Sequence, residues 1–150
     1  MLDAKIGFNG DVNLNFKRNT SQEDCNKEEI YELLYKPLLL VNTCWLQHAE
    51  EVKPLLDKTT NCLTISKKPF YEIYNEIINY NTNYVKYMSL GRIPSKYKQL
   101  STELIQCALY IEKHINDKTI DKNFIKNTIN IHKICDRILD MLRYDFDFQV

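Results

Sequence analysis

The fold is decided by the stretch Pro69-Phe-Tyr-Glu-Ile-Tyr-Asn-Glu-Ile-Ile-Asn-Tyr-Asn-Thr-Asn-Tyr-Val-Lys-Tyr-Met-Ser-Leu-Gly91. Its apolar residues recur at spacings of three and four, with a gap at Asn81, which predicts the buried stripe of an amphipathic helix. The stripe consists of Phe70, Ile73, Tyr74, Ile77, Ile78, Tyr84, Val85 and Met88. Pro69 suits the first helical turn, where its N–H is not needed, and Gly91 suits the position just past the end. A stripe this rich in aromatic residues is more often core than binding surface.

Three more apolar stripes predict helices on either side of this one. They run from about Asn26 to Glu50, from Ser95 to Asn116 and from Lys122 to Tyr144. Asn26 and Glu29 have the spacing of a capping box, and Asp121 is suited to cap the last helix. Pro37 lies on the first stripe and either kinks that helix or divides it in two. Residues 52–68 are less regular, and we expect a short helical turn followed by a connector.

Residues 1–27 differ from the rest of the chain because their apolar residues alternate with polar ones. The sequence Asn9-Gly10-Asp11 separates two alternating runs, an arrangement that predicts a β-hairpin with glycine in its turn. A flexible arm is an almost equally good interpretation, because an isolated hairpin is marginal in water. We therefore expect an amino-terminal arm or hairpin over residues 1–27 and a single helical domain over residues 28–150.

Composition limits the classes of protein to which the chain can belong. Its 150 residues are enough for one domain with a real core, and 3 glycines and 4 prolines favour helices over a turn-rich β-fold. The 20 basic and 20 acidic residues give a formal charge of zero, whereas nucleic-acid-binding proteins normally carry a basic surplus. The 5 cysteines include no Cys-x-x-Cys pair, and we find no secretory leader or membrane-spanning run. We therefore expect free thiols in a reducing compartment, and neither nucleic acid nor membrane as a partner.

Two pairs of soft side chains are candidate ligands of a metal ion. Cys44 and His48 lie four residues apart on one predicted helix, and His132 and Cys135 lie three apart on another, a set that could bind zinc. Both pairs fall on apolar stripes, where a thiol and a hydrogen-bonded imidazole are ordinary core residues. We therefore expect no metal and no cofactor. The sequence also lacks a nucleophile elbow and a glycine-rich phosphate loop, so an enzyme is the less favoured interpretation.

Five aromatic residues and one arginine are the candidates for binding a partner. They are Tyr31 and Trp45 on the first helix, and Tyr80, Tyr84, Tyr87 and Arg92 at the end of the central stretch. Aromatic and arginine side chains dominate the energy of protein interfaces, although a tryptophan on an apolar stripe is more often core. Tyr84 and Tyr87 are also interleaved with basic residues, a pattern that could stack bases or meet acidic lipid. A solvated turn between two helices is the favoured interpretation of that pattern.

The order and spacing of the helices resemble the poxviral Bcl-2-like family of intracellular immune modulators. Part of the central stretch, Ile73 to Met88 followed by Gly91, resembles the family's segment of leucine-tyrosine-x-x-leucine, phenylalanine-aspartate and tyrosine-glycine. Here Asn81 stands where an acid is usual, and Met88-Ser-Leu separates the aromatic residue from the glycine. The sequence Thr102-Glu-Leu-Ile-Gln-Cys-Ala-Leu-Tyr-Ile-Glu-Lys-His-Ile115 is similar to the family's buried central helix. The resemblance covers most of residues 28–144.

The resemblance implies an all-α fold, a compact Bcl-2-like bundle of about five to seven helices wrapped around the Ser95–Asn116 helix. It also implies a non-enzymatic viral protein of the host cytoplasm. Such a protein binds a host adaptor, kinase or helicase and inhibits innate signalling towards NF-κB or interferon. Several members of the family form homodimers through their first and last helices, so a homodimer is expected as well.

Two alternatives remain open. An apoptosis inhibitor would need an open apolar groove between the central-stretch helix and the Ser95–Asn116 helix, where a partner's amphipathic helix would bind. A structural subunit of a non-viral complex would share the helical pattern only by convergence. An open groove would favour the apoptosis inhibitor, whereas a filled groove with an aromatic surface would favour the signalling inhibitor.

Overall fold

The computed structural model describes residues 27–52, 60–61 and 66–148. The arm or hairpin predicted for residues 1–27 lies outside this part of the chain except for its last residue, as does most of the connector predicted for residues 52–68. Packing divides the chain after Glu32 into two units, Met1–Glu32 and Leu33–Val150. The four α-helices named below all belong to the second unit, and the predicted domain boundary at residue 28 stays a prediction.

The described residues are predominantly α-helical. Helices α1 to α4 are Lys36–Val52, Lys68–Ser89, Lys98–His114 and Lys122–Phe146. A π-helical turn, Tyr31–Tyr35, leads into α1, and a 3-10 turn, Ser95–Tyr97, leads into α3. Two short strands, β1 (Thr60–Asn61) and β2 (Thr119–Ile120), pair antiparallel, with Thr60 opposite Ile120. The all-α class is confirmed, with four α-helices in this part of the chain, fewer than the five to seven that we expected.

The helices of the second unit pack in a ring. Helix α2 packs against α1 and α3, and α4 packs against α3 and α1. The expectation that the third helix is wrapped by the others is wrong for this part of the chain, because one face of α3 is open. Thr102, Leu109 and Lys113 are exposed along that face. Helix α3 therefore has a buried stripe and a free surface, like its neighbours.

The buried stripe of α2 differs from the predicted one in its second half. The observed core positions are Ile73, Ile77, Tyr80, Tyr84 and Tyr87, an unbroken series of four- and three-residue steps. Val85, which we placed on the stripe, is 55% exposed. The gap at Asn81 arose because Tyr80 and Tyr87 were not counted as core residues. Their rings are apolar, and a tyrosine can be buried when its hydroxyl finds a partner.

The end of α2 confirms the role predicted for Gly91. Gly91 has a positive φ of 70°, and its N–H donates to the Met88 carbonyl at 3.0 Å. The Arg92 N–H donates to the Tyr87 carbonyl at 2.9 Å, which completes a Schellman motif. A residue with a Cβ would be strained in this left-handed conformation, so glycine lets the chain turn sharply towards α3.

Pro37 does not divide its helix, because the π-helical turn Tyr31–Tyr35 leads into α1 without a break. Proline has no N–H, so the Leu33 carbonyl lacks the donor that normally lies four residues further along a helix. The side-chain amide of Asn83 on α2 supplies that donor at 3.3 Å. The defect in one helix is thus satisfied by a side chain from the next.

The carboxyl-terminal end of α4 is held by polar and aromatic contacts. Asp145 accepts hydrogen bonds from the Lys96 ammonium at 2.8 Å and from the Tyr97 hydroxyl at 2.7 Å. The Arg143 Nε donates to the Tyr35 hydroxyl at 2.6 Å, and the ring of Phe148 packs on that of Tyr35 at 4.9 Å. Packing of Phe148 therefore extends the hydrophobic core beyond the end of α4. At the other end, Asp121 caps the helix as predicted by accepting from the backbone N–H of Phe124 at 3.1 Å.

Candidate protein-binding groove

A surface groove lies between α3 and α4. Its α3 wall is formed by Glu103, Gln106, Cys107 and Tyr110, which fall at helical positions i, i+3, i+4 and i+7 and so share one face. Its α4 wall is formed by Asn127, Asn130, Lys133, Ile134 and Arg137. The volume of the groove is about 470 Å³, within the range usual for binding sites. Eight of these nine side chains carry a polar group or a thiol, so the groove is suited to polar recognition.

The charges of the groove are unevenly distributed between its walls. Lys133 and Arg137 on α4 are exposed, and neither makes an ion pair within the described residues. Glu103 is the one acidic residue of the lining, and it accepts a hydrogen bond from Gln99 at 3.2 Å. The α4 wall is therefore cationic and available, whereas the acid on the α3 wall is already engaged.

The floor of the groove is less polar than its rim. Ile134 is buried, and Cys107 is half-buried beside it. Burial raises the pKa of the Cys107 thiol, and the nearby Glu103 carboxylate raises it further. The thiol is therefore neutral at physiological pH and contributes as a small apolar group rather than as a nucleophile.

Side-chain amides contribute to both walls of the groove. The side-chain amide of Asn127 donates to the Asn123 carbonyl at 2.8 Å, so one of its two N–H groups is used within α4. Gln106 and Asn130 make no hydrogen bond to other described residues, which leaves both donors and both acceptors available. Amides of this kind can bond to the backbone of a bound peptide.

Four of the predicted partner-binding residues lie in the core. Trp45, Tyr80, Tyr84 and Tyr87 are only 3%, 1%, 7% and 2% exposed, so they do not form the surface that we expected. Tyr31 is half-buried, and Arg92 is exposed at the turn after α2. Since the tyrosines of the basic–aromatic pattern are buried, their rings are not available to stack on bases.

Tyrosine side chains fill the interface between α2 and α3. The Tyr80 hydroxyl and the Ser101 hydroxyl on α3 share a hydrogen bond of 2.6 Å. The ring of Tyr84 stacks on that of Tyr80, with centroids 5.9 Å apart. Burial raises the pKa of Tyr80 well above its ordinary value, so this hydroxyl stays protonated. The place where an open apolar groove was considered is thus occupied by the protein's own side chains.

The candidate metal ligands are not grouped in the described part of the structure, and Cys44 has other partners. Cys44 lies against the start of α2, with its sulfur 3.6 Å from the Pro69 carbonyl and 3.5 Å from Glu72. Cys135 is fully buried. No three His, Cys, Asp or Glu side chains are grouped for metal binding within the described ranges 27–52, 60–61 and 66–148.

His132 is instead part of a polar cluster between α1 and α4. Its Nδ1 lies 3.1 Å from the Asn42 side-chain oxygen, and its Nε2 lies 3.5 Å from Asp136. Asn42 also donates to Asp136, and the ring of Trp45 stacks on the imidazole at 4.5 Å. The cluster fixes the register of α1 on α4, which is a structural role for these residues.

The groove residues were missed because their sequence signal is weak. Gln106 and Tyr110, like Asn127 and Asn130, are polar residues at helical spacing, a pattern shared by any solvated helix face. Only the packing of α3 on α4 turns two such faces into one site.

None of the helices in the described part of the chain combines the length and the apolar character that crossing a membrane requires. Comparison of the chain with protein-family models, with curated proteins and with solved structures found no match.

Proposed function

We propose that this chain is a non-enzymatic binding protein of the poxviral Bcl-2-like class. In this proposal it acts in the host cytoplasm, where it binds an adaptor, kinase or helicase and inhibits innate signalling towards NF-κB or interferon. The order and spacing of the helical segments over residues 28–144 support the class. The proposal includes the finer fold, a Bcl-2-like bundle, and the four packed helices support its all-α class.

One observation favours the signalling inhibitor over the apoptosis inhibitor. Tyr80 and Tyr84 fill the α2–α3 interface, and the hydroxyl of Tyr80 is bonded to Ser101 across it. An amphipathic helix needs an open apolar groove, whereas the groove present in this protein lies between α3 and α4 and has mainly polar walls. Binding of a pro-apoptotic helix at α2–α3 would require the expulsion of two buried aromatic side chains.

The chemistry of the thiols supports binding rather than catalysis. Burial, followed by the hydrogen bond and negative charge of Glu72, raises the pKa of Cys44 to about 11. Burial also raises the pKa of Cys107 and Cys135. A nucleophilic cysteine needs a lowered pKa, so these three thiols are poorly suited to covalent catalysis.

The alternative of a structural subunit is less favoured by the distribution of exposed apolar side chains. They are spread over four helices: Leu40, Leu46, Tyr71, Val85, Leu90, Leu109 and Tyr144. A permanent interface is usually large, contiguous and apolar, whereas single exposed side chains are normal for a protein surface.

The test is affinity purification of the tagged protein from human cells, with mass spectrometry of the proteins recovered. We expect innate-signalling adaptors, kinases or helicases, together with reduced NF-κB or interferon reporter activity in the same cells. Recovery of pro-apoptotic family members instead would favour the apoptosis inhibitor. Recovery of neither group, with an unchanged reporter, would contradict the proposed function.

A further inference from the structure

We propose that the α3–α4 groove binds an extended acidic segment of a partner protein. The inference rests on the proposed function, because it gives the chemistry of the partner that such a function requires. Acidic side chains of the segment would meet the cations on the α4 wall, and its backbone would bond to the amides of the two walls.

A row of cations borders the groove along α4. Lys122, Lys126, Lys133 and Arg137 follow one another at steps of four, seven and four residues, so they lie on one side of the helix. All four are exposed, and none makes an ion pair within the described part of the chain. Three acids lie beside this row, and each has a partner of its own. Asp136 is bonded to Asn42, Asp140 pairs with Arg143, and Asp121 caps α4. The rim therefore presents cations that are unpaired within the described residues, with Asp121 and Asp140 at its two ends.

The spacing of the cations matches that of acids in an extended chain. Lys133 and Arg137 are separated by four residues, which corresponds to about 6 Å along the helix axis. Alternate side chains of an extended strand point the same way and are about 6.6 Å apart. Two acidic residues at positions i and i+2 of a peptide that runs along the groove would each meet one of these cations.

The available amides favour an extended segment over a helical one. Backbone N–H and C=O groups of a helix are bonded within the helix, so a bound helix would leave Gln106 and Asn130 without partners. An extended peptide carries unpaired backbone donors and acceptors that these two amides can satisfy. The small apolar floor of Ile134 and Cys107 also offers no row of pockets for the anchors of an amphipathic helix.

Charge balance favours an acidic protein segment over nucleic acid. The chain has a formal net charge of zero, whereas phosphate backbones are bound by proteins with a basic surplus. Glu103 lies in the groove opposite the cations and would repel a continuous row of phosphates. A peptide can place neutral residues there and acids only where the lysine and arginine lie.

The test is the binding of two labelled peptides to the purified full-length protein, followed by fluorescence anisotropy. The first probe is a short fluorescein-labelled peptide of alternating glutamate and serine, and the second has glutamine in place of each glutamate. The variant Lys133→Glu/Arg137→Glu replaces the two cations of the groove by acids. The matched control, Lys68→Glu/Lys98→Glu, makes the same change in net charge at exposed lysines elsewhere on α2 and α3.

We expect the glutamate peptide to bind to the wild type and to the control about equally. Binding to Lys133→Glu/Arg137→Glu should be weaker by about tenfold or more, and the glutamine peptide should bind weakly to all three proteins. Circular dichroism and thermal melting check that both variants fold. Equal weakening by both variants would mean general charge attraction and would overturn the proposal, as would failure of the glutamate peptide to bind to the wild type.

Three further outcomes separate this inference from its alternatives and from the proposed function. A single-stranded oligonucleotide that binds more tightly than the glutamate peptide, and that loses affinity with Lys133→Glu/Arg137→Glu, would overturn the assignment to a protein partner. If wild type and groove variant recover the same signalling proteins from cells, the proposed function stands and the groove proposal fails. If the wild type recovers none of them, the proposed function itself fails, whatever the peptides do.

Discussion

The paired hydroxyls of Tyr80 and Ser101 join α2 to α3 inside the core. Replacement of Tyr80 by phenylalanine would remove this hydrogen bond and leave Ser101 with a buried hydroxyl to satisfy. We expect Tyr80→Phe to lower the free energy of unfolding by about 1 kcal/mol. Urea denaturation followed by circular dichroism measures this difference.

Tyr84 provides the matched control for that prediction. Its hydroxyl is buried too, but it has no hydrogen-bond partner among the described residues. Removal of a buried group without a partner costs little or even stabilises, so Tyr84→Phe should leave the unfolding free energy unchanged or raise it. A loss as large as that of Tyr80→Phe would mean that the hydroxyl of Tyr84 is bonded in solution.

Asp145 makes stability depend on pH at the end of α4. Burial acts to raise the pKa of this carboxyl, but the hydrogen bonds from Lys96 and Tyr97 outweigh it and hold the pKa below its ordinary value of 3.8. A carboxyl with a lowered folded-state pKa stabilises the fold above its ordinary pKa and loses that contribution as the pH falls through the folded-state value. Because Lys96 is half exposed, we expect Asp145→Asn to cost about 1 kcal/mol at neutral pH. This cost should begin to fall as the pH drops below about 3.8 and should vanish once the pH lies below the lowered pKa of the folded state.

Unfolding by urea at a series of pH values tests the Asp145 prediction, with Asp140→Asn as its control. Asp140 pairs with Arg143 three residues away, but its side chain is 75% exposed, so its removal should change stability little at any pH. A cost of Asp145→Asn that is the same at acidic and neutral pH would show that the side chain acts through packing rather than through its charge.

At the scale of the helices, we expect substitutions of Pro37 on α1 and Asn83 on α2 to have coupled effects on stability. Asn83 donates to the Leu33 carbonyl because Pro37 has no N–H to offer it. We expect Asn83→Ala to cost about 1 kcal/mol in the wild type, since a half-buried carbonyl loses its donor. In a Pro37→Ala background, the new N–H at position 37 can bond to that carbonyl, and the same substitution should cost clearly less.

A double-mutant cycle of unfolding free energies measures this coupling. The neighbouring substitution Thr82→Ala serves as a control, because the Thr82 hydroxyl bonds only within its own helix, to the Ile78 carbonyl at 2.9 Å. Equal costs of Asn83→Ala in the two backgrounds would mean that the amide does not compensate for the proline.

The presence of each helix could be predicted from the sequence, because the spacing of its apolar residues involves only residues that are close to one another in the chain. The last three helices and the cap at Asp121 follow from spacing and from residues that begin or end a helix. The hydrogen bond from Asn83 to the Leu33 carbonyl could not be predicted, because the two residues lie far apart in the sequence. The series Tyr80, Tyr84 and Tyr87 continues the spacing of Ile73 and Ile77, so the sequence contained the correct stripe once tyrosine was counted as a core residue.

The groove could not be predicted at all, because it exists only where α3 and α4 meet. Gln106 and Asn130 are polar residues on solvated faces when each helix is considered alone. The predicted surface of Tyr80, Tyr84 and Tyr87 was wrong for a related reason. A pattern along one helix tells which residues share a face, but whether that face meets solvent or Ser101 of another helix depends on the packing.

For the whole molecule, a net charge of zero conceals a local asymmetry. The exposed cations Lys122, Lys126, Lys133 and Arg137 lie along one side of α4, with the acids Asp121 and Asp140 at its two ends, so cations outnumber acids along this side although the chain is neutral. Fields of this kind are screened beyond about 10 Å at 0.1 M salt. The asymmetry therefore acts on a partner that is close to the groove and aligned with it, which favours specificity over general attraction.

The last prediction concerns assembly, since the resemblance implies a homodimer through the first and last helices. The contacts of Tyr35 with Arg143 and of Asn42 with Asp136 show that α1 and α4 run antiparallel, which places Leu40 and Tyr144 towards the same end of the pair. Leu40 is 46% exposed and Tyr144 is 88% exposed.

Because burial of apolar surface drives association, we expect a dimer that Leu40→Gln/Tyr144→Gln converts to a monomer in sedimentation equilibrium. The control Val85→Gln/Leu109→Gln, at side chains 55% and 47% exposed on α2 and α3, should remain dimeric. A monomeric wild type, or equal dissociation of both variants, would rule out a dimer through this end of α1 and α4.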